Sequence, residues 1–497
     1  MKVFSASQIR AWDEYTIRHE PIPSLALMDR AAQTFADWLM KYCLTPARPV
    51  FFICGTGNNG GDGIAAARLL HWAGFDAKVV VCDFAAKHSA DFDGQMAQLP
   101  RHENLDLYWL KSPGELPDIP QNTLIVDALF GTGLRDVLDG DWASIVEKMN
   151  LLDNEIISID LPSGLLADTH TPGNAVVRAS RTFTFERPKL AMFFPENADR
   201  VGEWTCNSIG LATDFERQAE TPFFYLTHLG AACLRKTRKK FAHKGGFGHA
   251  MLVAGSFGKM GAAVLAARAC LRSGVGLLTV HAPRCGNLVL QTSVPEAMFS
   301  ADARARFCSN IPATDAFHAV GIGPGIGKSP ETAVALQEFL TQIHDPLVLD
   351  ADALNLLAEY PDWWRLIPHY SIITPHPKEF ERLFGKSDND FQRNELQRRM
   401  ALDKRVFIVL KGAHTAIACP DGECWFNTTG NPGMATGGSG DVLTGILTGL
   451  LAQGYDPKTA SLLGVYLHGL AGDQAAAAMG QEALVAGDLV EFLWRGM

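Results

Sequence analysis

The sequence predicts an α/β fold in two layered domains. Three features carry that expectation: short apolar runs alternating with helix-patterned segments, glycine-rich loops where those runs end, and a polar break over residues 211–240 after which the alternation resumes. At 497 residues the chain exceeds what one core supports, since single cores stop growing at roughly 250–300 residues. The boundary is set between residues 225 and 226, giving domains 1–225 and 226–497.

Two helical patterns, Ser7–Ile17 and Leu25–Tyr42, precede the first strand. Strands are then expected at Val50–Cys54, Ala77–Cys82, Leu105–Leu110, Thr123–Ala128, Ile156–Asp160, Thr182–Phe185 and Glu203–Ile209. Their near-continuous hydrophobicity marks parallel strands buried on both faces by helices. The first domain is therefore expected to be a Rossmann-like α/β/α layer. The stretches LATDFERQAE and LRKTRKK that follow read as a connection. A second alternation begins with a strand at Ala250–Gly255 and a helix at Ala262–Ser273. Further strands are expected at Leu277–His281, Ala316–Gly321, Pro346–Leu349, Ser371–Thr374, Val406–Leu410 and Thr415–Cys419. Helices at Asp441–Ala452, Pro457–Ala478 and Ala486–Trp494 close a second α/β/α domain.

Composition narrows the function. A formal net charge of -10 argues against broad electrostatic attraction to nucleic acid or to anionic membranes. The ten cysteines are scattered without paired C-x-x-C spacing, which argues against zinc and against a disulfide framework. The polar, amphipathic N-terminus is unlike a signal peptide, and no apolar stretch reaches membrane-spanning length. A reduced, cytoplasmic compartment is expected, with small-molecule partners and a homo-oligomer as the default assembly.

The chemistry concentrates after the strands, where open parallel sheets bind ligands. Gly55-Thr-Gly-Asn-Asn-Gly-Gly-Asp-Gly63 joins the first strand to a helix. Its glycines allow close backbone approach and the helix start suits an anion, but no lysine completes a Walker pattern, and a tight turn explains the stretch equally well. Asp127, the loop Gly131–Asp136 and Asp160-Leu-Pro-Ser163 deliver acids and hydroxyls to the same edge. Each alone reads as a helix cap; their coincidence favours a site. Asn59, Asp127 and Ser163 offer oxygen ligands only, which suits a hard cation. Lys189 lies near a strand end. In the second domain, Asn431-Pro-Gly-Met-Ala-Thr-Gly-Gly-Ser-Gly-Asp441 sets small residues before a helix with Asp441 in its first turn. That pattern suits a phosphoryl group held by N–H donors, with a carboxylate to accept a proton. Lys411–Thr415 and His376 also follow strands.

Together these motifs resemble a family. N-N-G-G-D-G, D-A-L-F-G-T-G-L and I-D-L-P-S-G are similar to NAD(P)H-hydrate epimerase domains. G-P-G-I-G, T-P-H-P-K-E-F, L-K-G-A-H-T and N-P-G-M-A-T-G-G-S-G-D resemble ADP-dependent NAD(P)H-hydrate dehydratases, which have a ribokinase-like fold. The resemblance covers nearly the whole chain and implies a bifunctional cofactor-repair enzyme: R and S hydrates of NADH or NADPH are interconverted, and the S form is dehydrated at the expense of ADP, giving AMP and phosphate. It implies potassium ligands at Asn59, Asp127 and Ser163, and Mg²⁺ with ADP in the second domain. Hydrate binding in the epimerase falls on Asn58, Asn59, Gly60, Gly61, Asp62, Gly131, Thr132, Gly133, Leu134, Arg135, Asp136 and Asp160. In the dehydratase it falls on Gly325, His376 and Asp441, and nucleotide binding on Lys411, Gly412, Ala413, His414, Thr415 and Gly440. Asp160 and Asp441 are the expected acid–base residues. Two other readings stay open: a small-metabolite kinase, and a regulatory module whose first domain senses a pyridine nucleotide.

Overall fold

A computed structural model describes residues 1–45, 47–85, 87–99, 105–313 and 315–496. The chain divides into two compact units, Lys2–Thr221 and Pro222 onward, with Met1 belonging to the second. Among the described residues no helix is long and apolar enough to cross a membrane.

The first unit is built on seven strands: β1 (Val50–Cys54), β2 (Ala77–Cys82), β3 (Asp106–Leu110), β4 (Leu124–Ala128), β5 (Ile156–Ile159), β6 (Arg181–Phe185) and β7 (Glu203–Asn207). All pair in parallel, in the order β3-β2-β1-β4-β5-β6-β7. This is the doubly wound arrangement, and its direction reverses between β1 and β4. Two apolar cores lie on the two sheet faces. One gathers Phe35, Phe52, Ile64 and Phe183 under the helices Ser24–Tyr42 and Asn58–Trp72. The other gathers Ile53, Ile125, Ile145 and Met149 under the helix Gly140–Leu151. The N-terminal helix Ala6–His19 is fixed by a capping box, Gln8 N–H donating to Ser5 Oγ and Ser5 N–H to Gln8 Oε1.

The second unit has ten strands: β8 (Phe223–Tyr225), β9 (His249–Val253), β10 (Leu277–Ala282), β11 (Met298–Ala301), β12 (Ala319–Ile322), β13 (Leu347–Leu349), β14 (Ile372–Ile373), β15 (Phe407–Leu410), β16 (Ala416–Ala418) and β17 (Cys424–Phe426). Their order is β11-β10-β9-β12-β13-β14-β15-β16-β17-β8, with a switch between β9 and β12. Among the described residues of this unit only the β15–β16 and β16–β17 pairs are antiparallel. The apolar helix Ser439–Ala452 packs on the helix Met260–Arg272 and on β9 and β12. Gly445 makes that contact close, since a Cβ there would sit 2.1 Å from the Ala266 carbonyl oxygen.

Three strands escape the sequence pattern. Phe223–Tyr225 lies inside the polar stretch read as a connection, which also holds the short helices Thr213–Gln218 and His228–Cys233. It becomes a strand by pairing with β17, so tertiary context overrides a polar local sequence. Met298–Ala301 and Cys424–Phe426 are four and three residues long, too short for periodicity to show.

Candidate functional sites

At the β1/β4 switch of the first unit, a cavity of about 610 Å³ opens beyond the carboxyl ends of the strands. Its lining includes Asn58, Asn59, Asp62, Gly131, Thr132, Gly133, Leu134 and Asp160 of the expected set. Gly60 and Gly61 do not line it; a Cβ at Gly60 would sit 1.8 Å from the Gly55 carbonyl oxygen and one at Gly61 2.7 Å from Met28 Sδ. They let the loop and helix pack closely. Arg135 and Asp136 are exposed and outside the lining.

Asp160 follows β5 in the left-handed region, at φ 67°, which Asp tolerates better than most residues. Its N–H donates to the Phe183 carbonyl at 2.6 Å. The carboxylate then meets the end of β6: Asp160 Oδ1 accepts from Lys189 Nζ at 2.5 Å and from Thr184 Oγ1 at 3.3 Å, while Oδ2 accepts from Thr132 N–H at 3.2 Å. Lys189 is 1% exposed and also donates to Thr184 Oγ1 and the Phe185 carbonyl. Burial alone would raise the Asp160 pKa, but the Lys189 charge and these hydrogen bonds outweigh it, so Asp160 is held below the usual carboxylate value.

Asp127 is completely buried one strand away, in register with Ser158 of β5. Its Oδ2 accepts from Ser158 Oγ at 2.7 Å and Ser163 N–H at 2.8 Å, and its Oδ1 from Ser163 Oγ at 2.5 Å. Ser163 Oγ also donates to the Phe130 carbonyl at 3.0 Å and accepts from Phe130 N–H at 2.8 Å. The next residue, Gly131, abuts Asn59: a Cβ there would be 3.0 Å from both Asn59 Oδ1 and Asp160 Oδ2. Asn59, Asp127 and Ser163 thus gather around one loop. Asn59 Nδ2 is buried with no hydrogen-bond partner. The side-chain oxygens of Asn59, Asp127 and Ser163 are hard donors of the kind that suit a hard cation, while burial pushes the Asp127 pKa up.

The helix Ala6–His19 adds lining residues the sequence patterns did not single out, including Arg10, Asp13 and Glu14. Asp13 is pushed up to about 7, first by burial and then by the neighbouring Asp160 charge. Asp62 is raised well above its usual value for the same two reasons.

In the second unit His376, Lys411, Gly440 and Asp441 of the expected set come together beyond the carboxyl ends of β13, β14 and β15. Lys411, after β15, donates to Asp350 Oδ1 at 2.9 Å, and its Nζ is 3.9 Å from Glu379 Oε2. Asp350, 1% exposed, follows β13 and accepts Thr444 Oγ1 on Oδ2 at 2.8 Å. A Cβ on Gly440 would lie 3.4 Å from Lys411 Nζ and 3.5 Å from Asp350 Oδ2, so the start of the helix Ser439–Ala452 faces this pair. Gly438 caps that helix at φ 94°. Asp441, in its first turn, is raised from 3.8 to about 6 by burial and by the Asp350 charge. His376 caps the helix Pro377–Phe384, its Nδ1 accepting Lys378 N–H at 3.1 Å, and burial and the Lys411 charge lower its pKa. Gly325, at φ 66°, accepts Ser256 Oγ on its carbonyl at 2.7 Å, and a Cβ there would be 3.0 Å from the Lys259 carbonyl. Gly412, Ala413, His414 and Thr415 form a turn held by Thr415 Oγ1, which donates to the Gly412 carbonyl and accepts its N–H. Asp350 was legible by the rule that polar residues after strands matter, but no glycine loop drew attention to it. Asp350 and Glu379, both near Lys411 Nζ, supply hard oxygens of the kind that suit Mg²⁺. Elsewhere in this unit His281, Asp302 and Cys308 have potential ligand atoms within 4.8 Å of one another. Their polar atoms are engaged in fixing the Asp302–Asn310 turn, as when Asp302 accepts Arg304, Ser309 and Asn310 N–H groups.

A family model described as NAD(P)H-hydrate dehydratase matches residues 250–494, and one described as YjeF-related protein N-terminus matches residues 24–191. The chain is 36% identical to the bifunctional NAD(P)H-hydrate repair enzyme of Moorella thermoacetica, over 99% of this chain and 96% of that protein. It is 35% identical to the Escherichia coli protein of the same name, over 94% of this chain and 88% of that one. A Bacillus subtilis ADP/ATP-dependent NAD(P)H-hydrate dehydratase co-crystallised with ATP and Mg²⁺ is 34% identical, covers 55% of this chain and 97% of its own, and superposes with a TM-score of 0.49.

Proposed function

The chain belongs to the bifunctional NAD(P)H-hydrate repair enzymes, and from that premise we propose that its first unit interconverts R and S NAD(P)H hydrate while its second dehydrates the S form. The second reaction consumes ADP and releases AMP and phosphate. One observation supports the reading: each unit sets a carboxylate at its candidate site, Asp160 in the cavity beyond the β1/β4 switch and Asp441 where the glycine loop meets a helix.

In the second unit, the first N–H groups of the helix Ser439–Ala452 have no carbonyl one turn earlier and present positive potential to a phosphate. Lys411 adds a full charge beside Gly440, and Thr415 closes the turn that carries it. Asp441 takes the proton from the hydrate hydroxyl as that oxygen attacks the β-phosphoryl group. Positioning and electrostatics supply most of such a transfer. The phosphate then leaves as the ring nitrogen lone pair moves in, and loss of the adjacent carbon's proton restores NAD(P)H. His376 and Gly325 contact the hydrate. Asp350 and Glu379 would hold Mg²⁺ with the nucleotide, and the ion would supply positive charge to the phosphates.

In the first unit, Asp160 moves the proton and Lys189 keeps it ionised. The cavity lining carries six carboxyl residues (Asp13, Glu14, Asp62, Asp91, Asp160, Glu186) against Arg10 and Lys189. A substrate with a pyrophosphate needs that excess reduced; Asn59, Asp127 and Ser163 would hold K⁺, which would supply positive charge where no lysine stands in the glycine loop. Backbone N–H groups of the Asn58–Asp62 and Gly131–Asp136 segments do the rest.

The test is the product balance with S NADPH hydrate and ADP: NADPH, AMP and phosphate in equal amounts. A stable phosphorylated product without NADPH would move the second unit to the kinase reading. Hydrate binding to the first unit without faster R-to-S conversion would make that unit a sensor.

A further inference from the structure

The cavity of the first unit contains more acid–base capacity than one carboxylate needs. Of its acidic lining residues, Glu186 is fully engaged, accepting Ser208 Oγ and Ile209 N–H at 2.8 Å each and Arg187 Nη1 at 3.1 Å. Asp91 accepts Ser24 Oγ at 2.6 Å. Asp160 is committed to Lys189. Asp13 is different: it lies on the helix face formed by Ile9, Arg10 and Ile17 that lines the cavity, and among the described residues its carboxyl makes no hydrogen bond.

Resting on the epimerase reading above, we infer that Asp13 is the second proton-transfer group of that reaction, paired with Asp160 across different elements of the same cavity. Epimerisation by loss and return of water needs an acid and a base at once. Asp13 gives its proton to the departing hydroxyl, the C–O bond electrons leave with it as water, and the ring nitrogen lone pair forms the C=N⁺ bond. Water then adds to the other face of that carbon, and the Asp160 carboxylate takes the proton it sheds. In the reverse direction the roles exchange, and solvent resets the pair between turnovers.

The electrostatics agree with this division of roles. Neighbouring groups whose environments push their protonation apart mark an acid and a base. Asp160 is held ionised, whereas Asp13, buried and within reach of the charges of Asp160, Lys189, Glu186, Arg10 and Asp62, keeps its proton until about pH 7. Asp62 is raised well above its usual value, which suits a fixed hydrogen-bond donor better than a group that must cycle.

The experiment follows R-to-S conversion of NADPH hydrate by the full-length protein, with Asp13→Asn and Asp13→Glu, from pH 5.5 to 9. Supplying pure S hydrate in parallel reports the second unit, so a misfolded preparation is recognised. The inference expects Asp13→Asn to slow epimerisation by about 10²-fold or more, as for a lost general acid, with little change in KM. The parent rate should fall as pH rises through about 7, a limb absent from Asp13→Asn, and Asp13→Glu should recover much of the rate. Conversion by Asp13→Asn within threefold of the parent, or with the same alkaline limb, would overturn the inference. A parent protein that does not speed R-to-S conversion at all would instead overturn the epimerase reading on which it rests.

Discussion

Replacing Asp441 with asparagine separates two effects that converge on one carboxyl. Burial and the nearby Asp350 hold Asp441 protonated to about pH 6, against 3.8 for an ordinary aspartate. The unfolded chain releases that proton at the lower value, so raising the pH from about 4 to 6 weakens the folded parent, and the loss is complete above 6. A shift of about two units corresponds to at most about 3 kcal/mol. Asp441 is partly exposed, and solvent screening brings the figure to about 1–2 kcal/mol. Asparagine has nearly the same shape and no charge. Asp441→Asn should therefore raise the melting temperature of the second unit at pH 8 by a few degrees, about 2–8 °C at 2–4 °C per kcal/mol, and the gain should close near pH 4. The same change should lower dehydration by about 10²–10⁴-fold, the usual range for a lost general base. In the parent, dehydration should rise as pH climbs through about 6, where the carboxylate forms. Scanning calorimetry at both pH values, with NADPH absorbance for turnover, reads each effect. A variant less stable than the parent at pH 8, or turning over within threefold of it, would refute this account of Asp441.

Other residues test the rest of the account. Lys189→Met should leave Asp160 buried without its cation, costing about 3–5 kcal/mol and abolishing R-to-S conversion; denaturant melts and epimerisation rates check it. Ser163→Ala should remove most of the K⁺ activation of epimerisation while leaving the dehydration of pure S hydrate responsive to ADP, read by titrating K⁺ against Na⁺. Gly445→Ala should destabilise the second unit by about 1–3 kcal/mol, since the new Cβ would meet the Ala266 carbonyl at 2.1 Å; the shift in its unfolding midpoint measures this.

What the sequence made legible follows from burial. β1, β2 and β4 lie between layers of helices, so their apolar runs are nearly unbroken, and the two sites sit beyond strand ends where the glycine loops pointed. Phe223–Tyr225 was illegible because its strand character comes from pairing with Cys424–Phe426, some two hundred residues away. Asp13 was hidden for a related reason. On the sequence it is one of two neighbouring acids, with Glu14, on an amphipathic helix, and only folding brings it to the cavity with Asp160. Gly60 and Gly61 illustrate the reverse case: they belong to a glycine loop that suggests ligand contact, yet they serve the packing of the loop on Gly55 and Met28.

The most direct test of two linked activities in one chain starts from pure R NADPH hydrate with ADP, Mg²⁺ and K⁺, and follows the near-ultraviolet absorbance of NADPH. The account predicts complete recovery with the parent protein. It also predicts that Asp160→Asn recovers NADPH from S hydrate at the parent rate and from R hydrate only as fast as the uncatalysed conversion allows. Equal recovery from R and S hydrate by Asp160→Asn, at the parent rate, would contradict it.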